Sequence, residues 1–298
     1  MGEQLAEVAA IYVNCSRVVR CSRLLAFCTK TLDNIKQVKG AKVELARFSL
    51  SDFSLEEIMS DEKRIDNLRS ELLKGFAFKI PHEIDIQLLR DLRVHLLQIK
   101  NSNFANFVNR EGDSPNHFRV HWNRKEQEVP ADFFSWSFFP HNDDLFEIFK
   151  TFRLVFGLRN VLSGRDRDDF LSGPKDGYVA RFAAQFYPSG RGFMAGHQDP
   201  LQSHQSAIPT ILLSTPGLDF SDGGVWAQDS NGNKFMIDKE LSFGDLFLFH
   251  PRIPHGVDLV DPGKKYSGIS DSGRLMAIVA VNALDKAQGK ANVSESKG

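Results

Sequence analysis

Cysteine is scarce in this chain: three among 298 residues, Cys15, Cys21 and Cys28, all near the start. An odd count closes no disulfide framework, and the spacing lacks the paired thiols of a zinc site. The three read as idle or buried thiols of a reducing compartment. Long apolar runs are missing too; none reaches the ~20 residues that span a bilayer, so no membrane partner is expected. The opening MGEQLAEVAA carries Glu3 and Glu7 where a secretory leader carries positive charge. The expected location is therefore cytoplasmic. A stretch from Asn14 to Lys42, richer in Arg, Lys and Ser than in acids, is the one feature pointing to an organellar transit segment. Nor is there an excess of one charge: 37 basic against 38 acidic residues leave −1. That balance supplies no basic stripe for a phosphate backbone, and no nucleic-acid partner is expected.

What the chain has in quantity is phenylalanine, 25 residues against 4 Tyr and 3 Trp. The N-terminal part reads as helical. Leu5, Val8, Ile11 and Cys15 fall near helical spacing, as do Ile86, Leu89, Leu92, Leu96 and Ile99. Between them Gly75 to Ile80 alternates as a short strand before Pro81. Asp143 to Leu158 predicts a further amphipathic helix with Leu145, Ile148, Phe149, Phe152 and Phe156 on one side. After a Gly-, Asp- and Ser-rich loop over Ser163 to Gly177, the style changes to short strands. They are predicted at Tyr178–Tyr187, Ile208–Leu213, Val225–Gln228, Lys234–Ile237, Leu246–Phe249, His255–Val260 and Arg274–Val281. Asn231-Gly232 marks a hairpin between the third and fourth. Short strands at regular spacing, punctuated by Gly and Pro, predict a sandwich or barrel. The expected class is α+β: a double-stranded β-helix (jelly-roll, cupin-like) core with flanking N-terminal helices. One domain is expected over 1–284, with 1–177 mainly helical, 178–284 the core, and 285–298 a disordered polar tail.

The chemistry centres on His197-Gln198-Asp199. On extended backbone, residues i and i+2 point to one side, so an imidazole and a carboxylate can reach one metal. Pro200 then turns the chain away. A second histidine from another strand completes a set of two nitrogens and one carboxylate with open positions, which suits iron(II) and oxygen chemistry. His255, 58 positions on, follows Pro254 and opens a strand before Gly256; His250, at the end of the preceding strand, is its rival. His204 and His250 otherwise read as satisfied polar residues at the rim.

Glycines 192 and 196 lead into His197, Gly223-Gly224-Val225-Trp226 starts a strand, Gly244-Asp245 precedes an apolar one, and Gly273-Arg274 begins the last. In this order and spacing, Tyr178 to Asn282 resembles the iron(II)/2-oxoglutarate-dependent dioxygenase superfamily. The resemblance implies Fe(II), 2-oxoglutarate and O2 as cofactor and co-substrates, with His197, Asp199 and His255 as metal ligands. It also implies that Arg274 binds the distal carboxylate of 2-oxoglutarate, as a planar guanidinium can. Two departures stand out. Arg274 follows His255 by 19 positions, longer than the family's usual spacing, the excess lying in a loop over Asp261 to Gly273 that reads as either a lid or an inert surface loop. Many relatives carry a hydroxyl two residues after the arginine, where this chain has Met276. Gln185, Tyr187 and Thr210 are the candidates for the second co-substrate anchor.

The implied activity is oxidation of an unactivated C–H bond, by hydroxylation, desaturation or oxidative cyclisation, coupled to decarboxylation of 2-oxoglutarate to succinate. Halogenation needs the carboxylate position vacated, and Asp199 fills it. Phe182, Phe193 and Trp226 are candidates to wall a substrate pocket. Arg181, Arg191 and Arg252 are candidates to pair with an acidic or amino-acid-like small molecule. A protein or peptide side-chain hydroxylase of the same chemistry is the alternative. A non-catalytic cupin-like binding barrel is the alternative from another class.

Overall fold

The computed structural model describes residues 54–80, 84–101, 117–121, 129–199, 204–229, 231–285 and 290–291. All lie in the compact unit Lys42–Gly298. The expected first helix around Leu5 to Cys15, the three cysteines, the Asn14 to Lys42 stretch and most of the polar tail lie outside the described residues. No helix among the described residues is long and apolar enough to cross a membrane.

Local sequence explains the helices that open the described chain. Helix α1 (Leu55–Ser60) starts on a reciprocal cap: Glu57 N–H donates to Ser54 Oγ at 3.2 Å and Ser54 N–H to Glu57 Oε2 at 2.8 Å. Asp61 caps α2 (Glu62–Leu73) by accepting from Lys63 N–H at 3.0 Å. Strand β1 (Phe78–Ile80) follows, then α3 (Ile86–Asn101), which buries Leu89, Leu92, Leu96 and Leu97 along one stripe. The helix expected over Asp143 to Leu158 is broken. A 3-10 turn (Leu145–Glu147) precedes α4 (Ile148–Thr151) and α5 (Arg153–Leu162). Phe146 and Glu147 sit at φ 61° and 51°, in the left-handed region that ends a regular helix. The Asp144 carboxylate accepts from Phe149 and Lys150 N–H at 2.8 and 3.0 Å, which starts the helix at 148 instead.

The strands are β2 (His117–His121), β3 (Ala131–Phe138), β4 (Tyr178–Pro188), β5 (Phe193–His197), β6 (Ile208–Leu212), β7 (Gly224–Gln228), β8 (Lys234–Met236), β9 (Leu246–Phe249), β10 (His255–Asp258), β11 (Gly273–Asp285) and β12 (Lys290–Ala291). The main path runs β1-β9-β6-β11-β4-β3-β5-β10-β7-β8, and every strand pairing along it is antiparallel. Strand β3 turns one sheet into the other: Phe134 to Phe138 pair with β4, while Ala131 and Asp132 pair with β5. The result is a curled double sheet, the expected jelly roll, with helical residues sharing its main apolar core.

Two expectations about extent need correction. The core does not begin at 178, because β1, β2 and β3 all precede it and β3 is the hinge between the sheets. The tail is not wholly irregular either, since Lys290 and Ala291 pair with Asp285 and Leu284. The long Asp261 to Gly273 loop is fastened at both ends. Buried Asp261 accepts from Ser221 and Asp222 N–H at 2.7 and 3.0 Å and from Ser189 Oγ at 2.6 Å. At the other end Lys100 of α3, itself buried, donates to Ser270 O at 2.6 Å and to Asp271 at 2.7 Å.

Candidate metal centre

Antiparallel pairing of β5 with β10 sets His197 directly opposite His255. The register slips by one residue just beyond, between His255 and Val257, a bulge of the kind that re-aims side chains. Asp199 lies two residues past His197, and its N–H donates to Pro251 O at 2.9 Å. Gln198 Nε2 donates to Arg252 O at 2.8 Å. The two segments are thus joined by backbone as well as by sheet pairing. One donor atom from each of His197, Asp199 and His255 lies within 4.8 Å of the others. His197 Nε2 is 3.6 Å from Asp199 Oδ1, and His255 Nε2 is 3.4 Å from Oδ2.

The opposite edges of the rings decide which nitrogen is available. His197 Nδ1 is 3.0 Å from Ala195 O, and His255 Nδ1 is 2.8 Å from Ile253 O. A carbonyl only accepts, so each Nδ1 carries a proton; the Nε2 facing Asp199 carries one too while the ring is charged, and once neutral it offers its lone pair to a metal. Burial presses the Asp199 pKa upward, but the His255 charge and the His197 hydrogen bond outweigh it and hold the carboxyl below its ordinary range. Burial lowers the His255 pKa despite the pull of Asp199. For His197 burial acts downward too, yet the hydrogen bond and charge of Asp199 leave its pKa raised. A carboxylate and two imidazole nitrogens on one side of a small space fit iron(II) with open positions.

These three residues line a cavity of about 200 Å³, as do Arg181, Gln185, Tyr187, Thr210, Arg274 and Met276. Arg274 opens β11 opposite Tyr187, and Arg181 stands opposite Ala280 near the other end of the same strand pair. Six residues of strand, at about 3.3 Å each, separate the two arginines along β4, or about 20 Å. Tyr187 O–H donates to Gln185 Oε1 at 2.9 Å, and burial pushes its pKa well up. Thr210 Oγ1 donates to Phe247 O at 3.2 Å. Met276 is a buried apolar wall where a hydroxyl is common in the family resembled.

Other candidates fall elsewhere. Phe182 is core. Phe193 and Arg252 are off the cavity wall, Arg252 being exposed. Arg191 is ion-paired with Asp132, also off the wall. Trp226 is buried but points away from the cavity, because its neighbours Val225 and Ala227 take the inward positions. A Cβ on Gly196 or Gly256 would lie 2.8 or 2.7 Å from its ring, so Trp226 backs the sheet behind both histidines. His250 is buried outside the donor group, its Nδ1 accepting from Arg252 N–H at 3.2 Å. His204 is wholly buried rather than at the rim.

Sequence reasoning missed Asp238, buried on the 3-10 turn Ile237–Glu240. Its carboxylate accepts from Arg274 Nε at 2.5 Å and Nη2 at 2.9 Å. No signal in the chain links an acid to an arginine 36 residues later. Also missed were Phe133 and Ser135 of β3 on the cavity wall, although the alternation of Phe134-Ser135-Trp136-Ser137-Phe138 carried a strand signal.

No family model and no curated protein matches the chain. Among solved structures it is similar to a Pseudomonas putida prolyl-4-hydroxylase, with 14% identity and TM-score 0.45 over 72% of this chain and 96% of that one. It is similar to the non-heme alpha ketoglutarate dependent epimerase SnoN from nogalamycin biosynthesis, with 12% identity and TM-score 0.45 over 74% and 83%. It is similar to EctD from S. alaskensis with bound Fe, with 12% identity and TM-score 0.39 over 70% and 72%. Likenesses this distant lend the chain no activity; what it can do rests on its own side chains.

Proposed function

We propose that this chain is an Fe(II)/2-oxoglutarate-dependent oxygenase of a small, acidic or amino-acid-like molecule. The observation that carries the reading is the convergence of His197, Asp199 and His255, each imidazole keyed by a carbonyl, on a cavity that also contains Arg274. When bound, iron(II) with 2-oxoglutarate and O2 supplies an oxidant for unactivated C–H bonds, with succinate and carbon dioxide released.

The chain's own residues supply position and exclusion of water. His197, Asp199 and His255 would take three positions on the metal and leave the rest to ligands. Buried Arg274 would receive the far carboxylate of the co-substrate; its Nη1 has no partner among the described residues. The Tyr187–Gln185 pair beside it presents a fixed polar edge, and both residues with Thr210 are the supporting anchors we assign. Arg181, which lines the cavity farther along β4, is the residue we assign to an acidic group of the substrate. Phe247, Phe249, Ile208 and Ile253 supply an apolar wall against water. A cavity of about 200 Å³ is below the ~300–1,000 Å³ of drug-sized sites and supports a small metabolite. Hydroxylation, desaturation and oxidative cyclisation all follow from one oriented C–H bond.

The test is anaerobic titration of the metal-free protein with iron(II) and then 2-oxoglutarate. We expect the weak visible charge-transfer band of the chelate, and its loss in a His255→Ala protein. Candidate acids are then screened with oxygen for succinate. Absence of the band with both components present overturns the reading. A band with no succinate, from any candidate or from uncoupled turnover, returns the chain to a binding barrel.

A further inference from the structure

We propose that Asp238 is a positioning residue that dictates how Arg274 receives a carboxylate. By occupying the Nε–Nη2 edge of the guanidinium, it leaves a ligand only the outer end, formed by Nη1 and the second N–H of Nη2. The inference rests on the proposed function, since the ligand in question is the distal carboxylate of 2-oxoglutarate.

Guanidinium has five N–H donors in a rigid planar fork. Asp238 takes the side-on edge through Nε and Nη2, a two-point match of planar groups. Both partners are about 2% exposed. Nη1 is buried and has no hydrogen-bond partner among the described residues. A buried donor left unmet destabilises the fold, a deficit that an incoming carboxylate at the cavity end of Arg274 would remove.

Asp238 itself cannot follow the arginine. Its Oδ2 also accepts from Val225 N–H at 2.8 Å, so backbone from β7 holds it. Gly224, at φ +100°, permits that approach, because a Cβ there would lie 2.3 Å from Oδ2. Three hydrogen bonds from two strands thus fix the carboxylate, and the carboxylate fixes the plane of the guanidinium. Asp238 does not line the cavity, so it acts through Arg274 and not on the ligand. The buried pair also has no net charge of its own. Recognition at this end therefore depends on matching the Nη1 end in shape and hydrogen bonding more than on attraction to a bare cation.

The test uses the full chain loaded anaerobically with iron(II), and calorimetric binding of two ligands. 2-Oxoglutarate has the distal carboxylate; 2-oxobutyrate keeps the metal-chelating end and lacks it. In Asp238→Asn one acceptor is replaced by N–H groups that oppose those of Arg274. We expect 2-oxoglutarate affinity to fall about 10- to 100-fold, the usual range for residues that orient a ligand-bearing group. Affinity for 2-oxobutyrate should change by less than about threefold, with iron(II) affinity unchanged. Equal 2-oxoglutarate affinity in the variant overturns the proposal, and so does equal weakening of both acids, which marks a merely structural role.

Should Asp238→Asn fail to fold, Arg274→Lys decides. Asp238 would capture the single ammonium, so 2-oxoglutarate binding should drop as far as in Arg274→Gln. A lysine variant that keeps most of the affinity refutes the idea. If the wild-type protein binds iron(II) but neither acid, the proposed function has failed instead.

Discussion

Substituting alanine for Gly256 tests whether the packing behind the sheet sets the metal centre. The added Cβ would lie 2.7 Å from Trp226 Cζ2, 3.0 Å from its Cε2 and 2.9 Å from Met194 O. Carbon atoms pack at about 3.5–4.0 Å, so something must move by roughly 1 Å. The indole is wedged over Gly196 as well, with Cη2 only 2.8 Å from a Cβ there. Met194 O belongs to β5 backbone and cannot retreat without disturbing the pairing of β5 with β10. Overpacking of this kind costs about 1–3 kcal/mol. For a domain of this size that is about 2–4 °C of Tm per kcal/mol. The strain falls on the residue next to His255, and a displacement near 1 Å at a site can cost on the order of 100-fold in rate. Gly256→Ala should therefore lower Tm and weaken iron(II) binding together, as read by thermal unfolding and anaerobic titration. Adding Trp226→Leu should recover part of the metal affinity by vacating the ring's space. A Gly256→Ala protein with wild-type Tm and iron affinity would refute the reasoning.

Three further outcomes follow from the structure. Arg274→Gln strands the Asp238 carboxylate in the interior; breaking a buried pair this way should cost about 3–5 kcal/mol, measured by denaturant unfolding of the metal-free protein. Burial, with help from the Arg252 charge, lowers the His250 pKa from 6.5 to about 4. The unfolded chain then binds the extra proton between those values, so stability is present above pH 6.5 and is lost as pH falls toward 4. His250→Asn should flatten that limb by up to one proton, about 1.4 kcal/mol per pH unit, in Tm measured against pH. Lys100→Met keeps the buried stem but removes both hydrogen bonds to Ser270 and Asp271. It should cost about 1–2 kcal/mol and speed tryptic cutting after Lys264 or Lys265, followed by mass spectrometry.

The strands of the C-terminal half were legible because turn glycines and prolines bracket them, and the Asn231-Gly232 hairpin joins its two strands as expected. His197 and Asp199 were legible as a pair because extended backbone makes i and i+2 neighbours, whereas His255 was preferred to His250 through the family resemblance. Strand β3 was passed over although Phe134 to Phe138 alternate, and its burial on both faces, serines included, appears only in the folded chain. The break at Phe146 was hidden because no glycine or proline announces it. Trp226 and Phe193 were expected on the pocket wall from composition alone, and inward or outward direction depends on register, which a one-residue shift inverts. Asp238 was beyond reach, because pairing across 36 residues is a property of the folded chain.

The links Asp199 N–H to Pro251 O and Gln198 to Arg252 O have a consequence for life without metal. Small zinc modules are shapeless until their ion arrives, because only the ion gathers the ligands. Here a backbone bond and the Gln198 amide do the gathering, so on the proposed function a metal-free copy should keep its contour. Under that reading, depletion and resupply of the metal would amount to emptying and refilling a finished vessel rather than unfolding and rebuilding one.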